Sequence, residues 1–195
     1  MSRIAVFGYG SLVSPRSVAE TLGREPEAPI PARLQEWKRR WSLLRDNLRS
    51  EKTFARQSDG EPPPFVLGLN LERAGTGEDH LAPNGALIEL SAGELERLDV
   101  RELRYNRIAV TEHVSARHSF DSVFTYTARP EHFAPRPPDG TVAMAPYLRA
   151  IEAAHRELGD DQWQLFLETT GLPPVEVIEP VLVRDEIPPG NPRDW

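Results

Sequence analysis

An apolar run, Ile4 to Phe7, breaks at once into two glycines flanking a tyrosine in the segment FGYGSL. The run predicts a short strand and the glycines a tight loop. Ser14-Pro15 then starts a helix, with serine as N-cap and proline at the first helical position, and Gly23 stops it. After a proline-rich connection, Leu34 to Leu44 carries Trp37, Trp41 and Leu43 on one alternation, which predicts a strand with one buried face. Residues 48–64 are polar and read as a loop.

Phe65–Leu71 and Gly85–Leu90 predict two further strands, separated by the Gly/Asp/Asn-containing segment 74–84. Ser91 begins a helix, and Glu94 three residues on completes a capping-box pattern. Tyr105–Val114 and Ser122–Thr127 read as strands, Tyr147–Leu158 and Gln162–Thr169 as helices, and Val175–Val183 as a last strand. Strands therefore come in runs with helices inserted unevenly, which predicts an α+β domain rather than a strictly alternating parallel α/β sheet. There is no internal repeat, and the 19 prolines fall in the connections.

Composition narrows the classes of partner. A chain of 195 residues with 39% hydrophobic positions fits one globular domain spanning residues 1–195. A formal net charge of -7 argues against nucleic acid or an anionic membrane surface and points to a small-molecule or protein partner. The absence of cysteine excludes a disulfide scaffold, a thiolate metal site and a cysteine nucleophile. No stretch resembles a signal peptide or approaches the roughly 20 apolar residues of a membrane span, so a soluble, cytoplasmic protein is expected.

Three chemistries compete for FGYGSLV. A dinucleotide loop requires a third glycine where Val13 stands, and no clear strand–helix–strand repeat follows. A serine-hydrolase elbow requires a glycine two residues after the serine, but Leu12 and Val13 follow Ser11. A strand-end loop whose backbone N–H groups hold an oxygen of a small ligand fits the residues, and so does an ordinary glycine turn.

Other positions read as follows. On the helix after Ser91, Leu95, Leu98 and Glu102 share one side, which puts a carboxylate on an inward stripe. Buried there, it would have a raised pKa suited to accepting and donating a proton. Alternatively, the helix ends before Glu102, or Arg101 or Arg104 pairs with it at the surface. Tyr147, with Ile151, Ala154 and Leu158, belongs to a buried helical face, its hydroxyl at the rim. The histidines at 80, 113, 118, 132 and 155 have no metal-binding spacing, so no metal is expected. Lys38-Arg39-Arg40, between Trp37 and Trp41, reads as the charged side of an alternating strand rather than a nucleic-acid patch.

FGYGSL, the downstream LDVRE and Pro146-Tyr147 opening a helix together resemble the γ-glutamylcyclotransferase family. The resemblance implies a small mixed β-barrel with surrounding helices. It implies cofactor-independent cyclisation of a γ-glutamyl group to 5-oxoproline with release of a free amine. It places Glu102 as catalytic acid/base, Phe7 and Gly8 leading into a substrate loop of Tyr9, Gly10, Ser11 and Leu12, and Tyr147 against the substrate. Leu103, Arg104 and Tyr105 stand where glutathione-specific members carry lysine and paired glycines, which argues against glutathione. The polar segments 48–64 and 72–84 are candidates for the leaving-group side of the pocket. A γ-glutamylamine cyclotransferase and a non-catalytic small-ligand binding module on the same fold are the alternatives, and either a monomer or a homodimer is compatible.

Overall fold

The computed structural model describes residues 2–188. In chain order its strands and helices are β1 (Ile4–Gly8), α1 (Pro15–Leu22), β2 (Ile30–Leu34), β3 (Trp37–Asp46), β4 (Lys52–Arg56), β5 (Phe65–Arg73), β6 (Asn84–Leu90) and α2 (Ala92–Arg101). There follow β7 (Tyr105–Ala109), β8 (Val114–Ser115), β9 (Ser122–Ala128), β10 (Thr141–Met144), α3 (Ala145–Leu158), α4 (Gln162–Thr170), β11 (Glu176–Ile178) and β12 (Pro180–Asp185).

The expected α+β class is observed. One sheet has the order β7-β9-β1-β6-β2-β8, a second β11-β10-β5-β3, and β12 pairs with β4. Parallel pairs (β1 with β9, β10 with β5 and with β11) mix with antiparallel ones, and the strands curl into a half-barrel with four helices around it. No described helix is long and apolar enough to cross a membrane.

Two cores follow from period-2 alternation on β1. Ala5 and Phe7 face the larger core, with Leu34, Trp41, Leu69 and Leu87 of neighbouring strands and Ile151 and Phe166 of α3 and α4. Val6 faces the other way and packs with Val18 and Leu22 of α1 and Leu95 and Leu98 of α2. A strand claimed on both faces reads as a continuous apolar run, which is how Ile4–Phe7 looks in the sequence. The helix ends hold as predicted: the Ser17 amide donates to Ser14 Oγ at 3.3 Å, Gly23 takes the left-handed conformation at φ 73, and Ser91 and Glu94 form the reciprocal capping box.

Several predicted elements are corrected. The strand expected over Leu34–Leu44 is two strands in two sheets, split by Gln35 and by Glu36, whose φ of 64 turns the chain. Residues 48–64 are not all loop: Lys52–Arg56 alternates half-buried with buried positions and pairs with β12. Tyr105–Val114 stops as a strand at Ala109 and passes through a short 3-10 turn into β8, and Val175–Val183 is interrupted between Ile178 and Pro180. Thr141–Met144, missed in the sequence because four residues carry no readable period, is a fully buried central strand.

The Lys38-Arg39-Arg40 stretch alternates as expected, but its central residue faces inward. Arg40 is exposed and Lys38 pairs with Glu78 at 2.7 Å, whereas Arg39 lies on the Trp37 and Trp41 side and is 0% exposed.

Candidate functional site

FGYGSL begins at the last residues of β1 and turns directly into a 3-10 turn over Ser11–Val13, closed by the Val13 amide donating to the Gly10 carbonyl at 3.0 Å. A Cβ on Gly8 would lie 2.7 Å from the backbone carbon and oxygen of Leu12, so the chain folds back on itself there only because that atom is missing. A Cβ on Gly10 would lie 3.1 Å from the Tyr147 hydroxyl and 3.4 Å from Leu69 Cδ1. The glycines thus admit the chain's own groups: Leu12 at one, the α3 tyrosine at the other.

Buried Arg39 holds this loop from beneath. Its Nη1 donates to the Tyr9 carbonyl at 2.9 Å and the Asn84 carbonyl at 2.7 Å, Nη2 donates to Asn84 Oδ1 at 3.0 Å, and Nε donates to Thr170 Oγ1 at 2.8 Å. The guanidinium carbon sits 3.9 Å over the Phe166 ring. Burial lowers the Arg39 pKa to about 9, which leaves it protonated at neutral pH. The Tyr9 hydroxyl donates to the Tyr126 carbonyl at 2.8 Å, fixing the loop to β9.

Glu102 is the C-cap of α2, so the helix ends at Arg101, one of the two alternatives left open by the sequence. Its amide still donates to the Leu98 carbonyl at 2.8 Å, and its carbonyl accepts from the Tyr105 amide at 2.8 Å. Arg101 does contact the acid, at 3.2 Å from Nε to Oε1, but not at the surface: the arginine side chain is 0% exposed and the glutamate side chain 13%. Burial raises the Glu102 pKa, and the positive charges of Arg101 and Arg104 oppose that rise.

The residue that sequence reasoning underrated is Arg101. Its Nη1 donates to the Ser17 carbonyl at 2.6 Å and Thr21 Oγ1 at 2.8 Å; its Nη2 donates to Ser17 Oγ at 2.7 Å and Ser11 Oγ at 3.4 Å. One guanidinium therefore joins α1, the FGYGSL loop and the carboxylate of Glu102. The helical stripe held the signal, because Leu95, Leu98 and Arg101 follow at spacings of three and all three are buried.

A cavity of about 460 Å³ opens over these groups, within the range of small-molecule sites. Ser11, Ser14, Ser17, Arg101, Glu102 and Tyr147 line it. Leu43, Phe54, Val66, Leu67, Met144 and Pro180 line it as well, and Phe54, Val66, Met144 and Tyr147 belong to one packed cluster. Burial, then the charge of Glu102, raises the Tyr147 pKa, so its hydroxyl stays protonated and can donate. Trp41 holds the ring edge-on at 6.1 Å.

Of the residues singled out in the sequence, Ser11, Glu102 and Tyr147 meet in this cavity. Phe7, Gly8, Tyr9, Gly10 and Leu12 do not line it; they are buried behind it and set the position of Ser11 and of the Tyr147 hydroxyl. Segment 48–64 contributes Phe54 to the lining, whereas 72–84 contributes none of the lining residues. Among the described residues, no group of three or more His, Asp or Glu side chains is placed to hold a metal ion.

No protein-family model and no curated protein sequence matches the chain. Solved structures resemble it in fold. YkqA from Bacillus subtilis aligns with a TM-score of 0.54 at 19% identity over 84% of this chain, which spans 52% of that protein's length. A γ-glutamyl cyclotransferase aligns with a TM-score of 0.56 at 16% identity, covering 88% of this chain and 89% of that one. A yeast γ-glutamyl cyclotransferase specific to glutathione aligns with a TM-score of 0.52 at 16% identity, covering 87% and 96%. The fold is that of the γ-glutamylcyclotransferases.

Proposed function

We propose that this chain, on a γ-glutamylcyclotransferase-like fold, is a cofactor-independent γ-glutamylcyclotransferase with Glu102 as its acid/base. The observation that carries the reading is a largely buried carboxylate of raised pKa that lines one cavity with Tyr147 and with Ser11 of the FGYGSL loop.

The chemistry needs little else. The substrate's α-ammonium loses a proton to the Glu102 carboxylate, and the freed α-nitrogen attacks the γ-carbonyl carbon, forming the bond that closes the five-membered ring. Glu102 passes that proton to the leaving nitrogen and takes the second from the attacking nitrogen, and the bond to the leaving nitrogen breaks as the free amine departs. The products are 5-oxoproline and the amine. The Tyr147 hydroxyl and Ser11 would orient the γ-glutamyl group in the folded shape from which an intramolecular attack gains most. A soluble, cytoplasmic enzyme acting as a monomer or homodimer, with no nucleic-acid or membrane partner, completes the proposal.

The ion pair with Arg101 supports a second reading, because a paired buried acid is also what a non-catalytic binding module would keep. Incubation with γ-glutamyl-alanine, glutathione and γ-glutamyl-lysine, with 5-oxoproline read by mass spectrometry, separates the two. Release that disappears in Glu102→Gln is expected. Release that survives the substitution rejects the role of Glu102. Binding without release favours the binding module.

A further inference from the structure

The lining of the cavity holds polar groups and a packed apolar cluster, and a γ-glutamyl amide is likewise of two kinds. Its glutamyl end carries an ammonium, a carboxylate and the reacting carbonyl, and these demand polar partners. Ser11, Ser14, Ser17, Glu102 and Tyr147 supply them among the lining residues. The rest of the substrate is the leaving amine, and the lining offers it Leu43, Phe54, Val66, Met144 and Pro180. Three elements from distant parts of the chain contribute to the packed cluster: Phe54 on β4, Val66 on β5 and Met144 on β10.

A polar side chain set against that cluster would lose hydration, whereas an apolar side chain would cover surface otherwise open to water. Two guanidinium groups stand near that cluster. Arg45 lies 5.2 Å from the Phe54 ring and donates to Ser50 Oγ at 3.1 Å and to the Lys52 carbonyl, and Arg104 donates to Glu51 Oε2 at 2.6 Å. Both line the cavity. Their N–H groups suit the carboxylate of an amino acid.

Resting on the cyclotransferase reading, we propose that the leaving group is a bulky apolar amino acid: the substrate class is γ-glutamyl-leucine or γ-glutamyl-phenylalanine rather than glutathione, γ-glutamyl-alanine or γ-glutamyl-lysine. The bonds made and broken are unchanged, and only the released amine is specified.

The test is kcat/KM for γ-glutamyl-phenylalanine, γ-glutamyl-alanine, glutathione and γ-glutamyl-ε-lysine, from 5-oxoproline release. The phenylalanine compound is expected to exceed the alanine compound by about tenfold or more, the discrimination a hydrophobic pocket supplies. A folded Phe54→Ala protein, with its melting transition retained, is expected to lose most of that ratio. Equal rates, or a preference for glutathione or the lysine compound, overturn the proposal and leave the cyclotransferase reading intact. If no compound is cyclised, the cyclotransferase reading fails by itself. Calorimetric titration with the same four compounds then decides the apolar site: tighter binding of γ-glutamyl-phenylalanine upholds it, and equal binding removes it.

Discussion

Arg101 and Glu102, neighbours at the end of α2, form an ion pair of 3.2 Å in which the cation is the more deeply buried partner. Sequence neighbours at a helix end usually diverge to solvent, but here the helix stops between them. Arg101 stays on the inward stripe with Leu98, and Glu102, outside the helix, turns its carboxylate toward the same cavity. The pair sets the acid's working range, because burial raises the carboxylate pKa and the guanidinium holds it back.

That relationship has a signed consequence. In the proposed reaction Glu102 is ionised when it accepts the first proton, so kcat/KM is expected to fall as pH drops through its raised pKa. Arg101→Met removes the main positive charge that lowers this pKa, and the acid limb of the pH–rate profile should move up by about one unit or more. Arg101→Lys should keep the limb closer to its original position. A limb that stays put in Arg101→Met would show that Glu102 does not control it.

Gly10→Ala places a methyl 3.1 Å from the Tyr147 hydroxyl, closer than ordinary contact, so the tyrosine must shift. Small displacements of positioned groups cost as much as about 100-fold in rate. We expect Gly10→Ala to lower kcat/KM by tenfold or more on that scale, and to add little in a Tyr147→Phe background. Additive losses in the double mutant would indicate that Gly10 acts elsewhere.

Arg39→Met leaves the carbonyls of Tyr9 and Asn84 and the Asn84 side chain buried without their donor. A buried acceptor left without its donor costs about 1–3 kcal/mol, and urea unfolding should register the loss. Arg39→Lys should recover little, because one ammonium cannot reproduce the donation of Nε, Nη1 and Nη2 to separate acceptors.

His155 is 0% exposed, 3.4 Å from Arg39 Nη1, with its Nδ1 2.9 Å from the Ile151 carbonyl, and burial with the neighbouring arginine lowers its pKa from 6.5 to about 4. The unfolded chain binds a proton that the folded one refuses, so stability present above pH 6.5 is lost as pH falls toward about 4. The loss attributable to this group is at most about 3 kcal/mol. His155→Gln should flatten the fall in unfolding free energy across that window; an unchanged slope would assign it to other groups.

Much of the scaffold was readable where local chemistry decides structure. Ser14-Pro15, Gly23 and the Ser91/Glu94 box are short-range signals, and each marks a helix end. β4 and β10 were not readable, because five polar-looking and four mixed residues become strands only through partners far along the chain, Pro180–Asp185 for one and Phe65 and Val66 for the other. At the site, Glu102 and Tyr147 stood out as polar groups on apolar faces. Arg39 and Arg101 did not, because a basic residue on a strand or at a helix end is ordinarily solvated, and only the assembled core shows that each is enclosed.

The pairing of β4 with β12 also brings distant stretches of the chain together at the cavity. Phe54 and Pro180 sit on opposite strands of that pair, and Arg184 Nε donates to Thr53 Oγ1 at 3.0 Å across 131 positions. The polar lining residues all lie at or before Tyr147 in the chain. Closing so long a loop is among the slower folding events. Of the apolar lining residues named above, only Pro180 follows Tyr147, so β12 completes the cavity with that residue and with the strand pairing that seats Phe54.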